Sequence, residues 1–113
     1  MLQITETAVH LTRGDACDLE VIIHDLEGNI YTLAAGDLLL FTLKKNCITE
    51  DIIIQKDITS DSTIHLSHDD TDTLLYDAYK FDVQLTMANG KVYTVITPHD
   101  FIIEKEVTFN VSV

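Results

Sequence analysis

Tyr79-Lys80-Phe81-Asp82-Val83-Gln84-Leu85-Thr86-Met87-Ala88-Asn89-Gly90-Lys91-Val92-Tyr93-Thr94-Val95-Ile96-Thr97 is the stretch on which the fold turns. Tyr79, Phe81, Val83, Leu85 and Met87 recur at every second position with Lys80, Asp82, Gln84 and Thr86 between them, the period of a strand with one buried face. Asn89-Gly90 then reads as a two-residue hairpin turn, because both residues tolerate positive φ. The return strand runs from Lys91 to Thr97, and Pro98, which lacks an N–H for the ladder, is expected to end the pairing. A lone hairpin is marginal in water, so its apolar face requires further strands to cover it.

Those strands are found on both sides of the hairpin. Leu2 to Thr5 and Val9 to Thr12 read as a short first strand broken near Glu6-Thr7, and Arg13-Gly14-Asp15 is ordinary turn chemistry. Cys17 to His24 alternates again, with Leu19, Val21 and Ile23 on one face and Ile22 among the residues on the other. Asp25-Leu26-Glu27-Gly28-Asn29 is a hairpin loop, Ile30 to Leu33 its return strand, and Ala34-Ala35-Gly36-Asp37 another turn. Leu38 to Lys45 is the most apolar strand: Leu39, Phe41 and Leu43 point one way, Leu38, Leu40, Thr42 and Lys44 the other. Short strands follow over Asp51 to Asp57 and Thr63 to Leu66. Ser67 to Leu75 carries capping residues ahead of two leucines and reads as one helical turn near 69–75. Asp100 to Glu104 and Val107 to Val113 are the last strands, with a bulge or bend expected at Lys105-Glu106.

About eight to nine short strands, one helical turn and no amphipathic helix predict an all-β single domain over residues 1–113: an antiparallel two-sheet β-sandwich of immunoglobulin-like type. Tyr79, with Phe81 two positions on, stands where such sandwiches place the tyrosine of the E–F corner; a plain core aromatic is the other reading.

The chain has 113 residues, enough for one real core without staples. Nineteen acidic residues against seven basic ones give a formal charge of −12. Such a surface repels phosphate backbones and anionic lipid heads, so neither nucleic acid nor a membrane surface is expected as a partner. The start, Met1 to Glu6, lacks a basic region followed by an apolar run, so no signal peptide is expected and the cytoplasm is the expected compartment. Cys17 and Cys47 are expected to be free thiols.

Little in the sequence points to catalysis or to a cofactor. His65, His68, Asp69, Asp70 and Asp72 are the one dense group of possible metal ligands. On a strand, however, residues three apart face opposite ways, and the aspartate spacing misses the calcium-loop pattern; a capped turn is the favoured reading. No Gly-x-Ser-x-Gly, Cys-His pairing or glycine-rich phosphate loop is present.

Taken in order, the chain shows Gly14-Asp15 before a strand, Asp25-Leu26-Glu27-Gly28-Asn29, Gly36-Asp37 and an apolar strand ending in Lys44-Lys45. Ile64-His65-Leu66, Asp69-Asp70-Thr71, Tyr79 to Leu85 and Asn89-Gly90-Lys91-Val92 follow. That order resembles small virion- and tail-associated modules of prophages in Gram-positive bacteria, and is similar to the N-terminal β-sandwich domain of the phage baseplate upper protein. The resemblance implies a non-enzymatic assembly module of a tail or baseplate, made in the host cytoplasm and then part of the virion. Its partners would be copies of itself or neighbouring tail proteins. Ile22, Leu38 and Leu40, apolar on faces opposite the core, are the candidate interface for homo-oligomerisation, together with an exposed strand edge. Besides a metal-dependent enzyme built around His65, His68 and Asp70, two other readings stand beside it. One is a carbohydrate- or host-surface-binding sandwich using Tyr31, Tyr76 and Tyr93. The other is an acidic mimic that binds a host protein through the −12 charge.

Overall fold

In the computed structural model of the chain, residues 2–4, 8–25 and 27–105 are described. They form eight strands: β1 (Leu2–Ile4), β2 (Ala8–Thr12), β3 (Cys17–Glu20), β4 (Leu38–Lys44), β5 (Ile52–Asp57), β6 (Thr63–Leu66), β7 (Ala78–Thr86) and β8 (Val92–Glu104). One helical turn, α1 (His68–Thr71), lies between β6 and β7. The protein is all-β.

Six strands make one sheet in the order β1-β2-β8-β7-β4-β5, and β3 pairs with β6 in a second. All pairs are antiparallel except β2 with β8, which run parallel from Ala8–Asp100 to Thr12–Glu104. Both sheets contribute to a single core. From the large sheet come Leu11, Leu39, Phe41, Leu43, Val83, Phe101 and Ile103; from the small one come Leu19, Ile64 and Leu66. Phe41, Phe81 and Phe101 meet at its centre with ring centroids 5.8–6.4 Å apart, the spacing at which tilted aromatic pairs attract. The alternation read in β4 is observed: Leu39, Phe41 and Leu43 are fully buried while Leu38, Leu40, Thr42 and Lys44 face outward.

Three expectations are corrected. First, Pro98 does not end the hairpin: β8 continues through it to Glu104, so Asp100 to Glu104 belongs to the same strand. The register with β7 slips between Phe81–His99 and Val83–Ile96, and again before Gln84–Thr94. Pro98 sits in the first of these irregularities, where the ladder does not require its missing N–H.

Second, the hairpin turn has three residues, not two. Met87 N–H donates to Lys91 O at 2.8 Å and Gly90 N–H to Met87 O at 2.8 Å. Gly90 is at φ +89 while Asn89 stays out of the left-handed region, which is the type I turn closed by a glycine bulge. Asn89 contributes instead through its side chain, which accepts from Lys91 N–H at 3.0 Å.

Third, β3 stops at Glu20, and Ile30 to Leu33 is not a regular strand. The segment retains one bridge, His24 to Ile30, and the bond from Tyr31 N–H to Ile23 O at 2.8 Å. It forms an arm that leaves the small sheet, turned at its end by Asp25, whose carboxyl accepts from Glu27 and Asn29 N–H. The bend expected at Lys105-Glu106 reaches beyond the described residues; among those described, register slips occur in the β7–β8 pairing and at Leu43/Lys44 of the β4–β5 pairing. Residues 106–113, where the strand Val107 to Val113 was expected, lie outside the described residues.

The ends of the core are closed by specific polar contacts. Ser67 caps α1 in a capping box with Asp70, whose carboxyl accepts from Ser67 N–H at 2.7 Å. Lys56 of β5 pairs with the same Asp70 at 3.1 Å, tying the large sheet to the turn that follows the small one. The Arg13-Gly14-Asp15 turn docks on this element: Gly14 N–H donates to Thr71 Oγ1 at 2.9 Å, and the His68 ring contacts Gly14 O at 2.7 Å. At the start of β7 the buried Tyr79 donates its hydroxyl to Leu75 O at 2.9 Å, four residues upstream.

Candidate functional site

The phenylalanine cluster fills the centre of the core, and the β7–β8 hairpin tip lies beyond it. There the arm that follows β3 stands opposite the hairpin, and a groove of about 660 Å³ opens between them. Ile22, Ile23 and Tyr31 of the arm line one wall; Leu85 of β7, Met87 just after it, and Tyr93 and Val95 of β8 line the other. A second hollow of about 450 Å³ adjoins it, sharing Ile22, Ile23 and Tyr31 and reaching Thr59 to Ser62.

Local sequence explains why the arm is held yet not paired. Asp37, itself buried, accepts the Tyr31 hydroxyl at 2.5 Å and Ala34 N–H at 2.9 Å, so the chain folds back on itself within seven residues. Ala88 N–H at the hairpin tip reaches the other oxygen of that carboxyl at 3.4 Å. The Tyr31 hydroxyl, with the two amides, holds the Asp37 carboxyl below its ordinary range.

The strand facing the groove is incomplete on one side. β2 pairs with β8 only from Asp100 onward. Among the described residues no strand pairs with Val92 to His99 on the side away from β7. Val92 and Tyr93 are about half exposed, and Val95 and Ile96 are partly so. Unpaired edges with apolar side chains are the usual template for adding a strand.

The sequence-selected interface residues do not converge. Leu38 and Leu40 stand on the outer face of the large sheet, 36% exposed and partly buried respectively. Ile22, 54% exposed, belongs to the arm beyond the small sheet and lines the groove. Asn89 and Gly90 form the hairpin tip. Of the three tyrosines, Tyr31 and Tyr93 share the groove. Tyr76 lies elsewhere, beneath the Arg13 guanidinium at 4.3 Å and the Lys105 ammonium at 5.6 Å.

The possible metal ligands likewise face different partners. His65 holds Asp18 Oδ1 and Asp61 Oδ2, each at 2.6 Å. His68 turns to Gly14 and Asp72, and Asp70 to Lys56 and Ser67. Among the described residues no three such side chains converge on one point. With a carboxylate on each ring nitrogen, both nitrogens of His65 act as donors only when the ring is charged. Asp61 first, then Asp18, raises its pKa above the ordinary value. Cys17 is buried and its thiol pushed up to about 11, chiefly by burial; Cys47 is exposed, and both are free.

No protein-family model, curated protein or solved structure matches the chain. The site residues that sequence reasoning missed are Ile23 and Met87. Their only signal was apolar character next to a turn, which also fits a closed core.

Proposed function

We propose that the chain is a non-enzymatic joining module of a phage or prophage particle, a tail or baseplate component that works through protein–protein contacts. Its fold is read as an immunoglobulin-like two-sheet sandwich. In support, β8, β7 and β4 are neighbours as G, F and C are in that fold, and β3 lies beside β6 as B lies beside E. The Tyr79 hydroxyl bond to Leu75 O is the contact that a tyrosine corner requires.

The observation that carries the joining role is the edge from Val92 to His99, which no strand among the described residues pairs on the side away from β7, beside an apolar groove. A strand edge left open, with half-exposed valine and tyrosine on it, is tolerated where a partner completes it. Leu38 and Leu40 on the outer face of the large sheet offer a second contact, suited to copies of the same chain. Placement in a phage particle rests on the turn-and-strand order Gly14-Asp15, Gly36-Asp37, Asp69-Asp70-Thr71 and Asn89-Gly90.

Mass spectrometry of density-banded particles released by the producing bacterium tests the proposal. Peptides of this chain in fixed ratio to the other particle proteins are the expected result. Their absence from the band, with the chain found only in the soluble lysate, overturns it.

A further inference from the structure

We propose that the groove receives an extended segment of a different protein, apolar in alternation and carrying lysine or arginine at its ends, which adds as a strand to the edge of β8 that no described strand pairs. This inference rests on the reading of the chain as a joining module and specifies the partner's chemistry.

The first support is the course of the groove. Tyr93, Thr94 and Val95 all line it, although a strand sends successive side chains to opposite faces. Val95 stands at the register slip between Gln84–Thr94 and Val83–Ile96, which interrupts that alternation, and on the side away from β7 no described strand pairs with this part of β8. The edge from Val92 to Thr97 is about 20 Å long at 3.3–3.4 Å per residue, enough for a ligand strand of about six residues. Main-chain bonds would supply its affinity, and the apolar walls would take its alternate side chains.

The second support is charge. Asp25 lines the groove and Glu20 and Asp61 line its adjoining hollow, and no lysine or arginine lines either among the described residues. Asp61 is held ionised by His65, and Asp25 by position lies at the tip of the arm. An apolar slot with acidic borders selects a segment whose apolar centre is flanked by cations.

A second copy of this chain fits less well. Two copies meeting through this groove about a two-fold axis would set acidic border against acidic border. Each would also bring a net charge of −12. Like charges at contact distance lie well inside the screening length of physiological salt, about 8 Å.

Two labelled peptides with the same Val-Thr-Val-Thr-Val centre test this, one with Lys-Lys and the other with Glu-Glu at both ends. The lysine-ended peptide is expected to bind about tenfold tighter or more at low salt, a gap of about 1.4 kcal/mol, and to lose that advantage at high salt. It is expected to slow amide exchange within Val92 to Thr97. Ile22→Lys and Tyr93→Lys alter half-exposed side chains, so folding is retained, and each is expected to reduce the preference. Equal binding of the two peptides, protection at another strand, or protection of the β8 edge by self-association without peptide each overturns the inference. None of these outcomes affects whether the chain is found in banded particles, so this proposal and the assembly role fail separately.

Discussion

The hydroxyl of Tyr31 lies 2.5 Å from Oδ2 of Asp37, and through that carboxyl the arm, the turn before β4 and the hairpin tip are fastened together. Removing the hydroxyl frees one wall of the groove. Tyr31→Phe is expected to lower the melting temperature and speed exchange of the Ala34 and Ala88 amides while leaving β4 amides slow. The pH dependence has a definite sign. The folded pKa of Asp37 lies below the ordinary 3.8, so its contribution is present above that value and is lost as pH falls through the folded one. The stability gap between the native chain and Asp37→Asn should therefore close in acid.

Gly36 and Gly90 separate two costs of a side chain. Both sit in the left-handed region, but a Cβ on Gly90 meets nothing within 4 Å, whereas one on Gly36 stands 2.8 Å from the Ala88 Cβ. Gly90→Ala should cost about 1–2 kcal/mol of stability from backbone strain alone. Gly36→Ala should cost more, and adding Ala88→Gly should restore the excess. Denaturant melts of the three variants against the native chain check this; equal losses at the two glycines contradict it.

His65 between Asp61 and Asp18 makes the small sheet sensitive to pH. Its folded pKa is raised above 6.5, so this contribution is complete below that value and is lost as pH rises through the folded pKa. Asp61, whose pKa is lowered, adds stability above 3.8 that is lost in acid. The advantage of the native chain over His65→Gln should be greatest between those limits. An NMR titration should place the His65 midpoint above 6.5; a midpoint at or below it contradicts the ion triad.

The two thiols differ in access. Cys17 is buried with its thiol pushed up to about 11, while Cys47 is exposed. At mildly alkaline pH a thiol reagent should label one cysteine of the folded protein quickly and both only after denaturation. Fast labelling of Cys17 in the folded chain contradicts the packing of β3 against β6.

Tyr79→Phe retains the buried ring and loses only the bond to Leu75 O. A loss of about 0.5–1.5 kcal/mol is expected, against about 3–5 kcal/mol for Phe41→Ala at the centre of the core. Thermal or urea unfolding distinguishes the two.

Much of this fold is legible in the sequence because alternation is local. The limits of β6, the facing of Leu39, Phe41 and Leu43, and the capped turn at Ser67 all follow from residues a few positions apart. Features fixed by distant docking are not. Pro98 passes through β8 because two register slips place it where no ladder bond is needed. Among the described residues only the half of β8 that meets β2 gains a second partner, and the alternation of Val92 to Thr97 carries no sign of that. Ile22, Leu38 and Leu40 read alike as outward apolar residues, yet the chain sends them to different surfaces, because β3 ends at Glu20 and the arm leaves the small sheet. The groove therefore appears only once both sheets are assembled.

Lysine-directed cross-linking of intact particles, read by mass spectrometry, tests the joining role most directly, since Lys91 lies next to the Val92 to His99 edge of β8. The account predicts links from Lys91 to a lysine on a different particle protein, beside an alternating apolar segment. Links from Lys91 confined to this chain or its own copies, in particles that contain it, would contradict that claim.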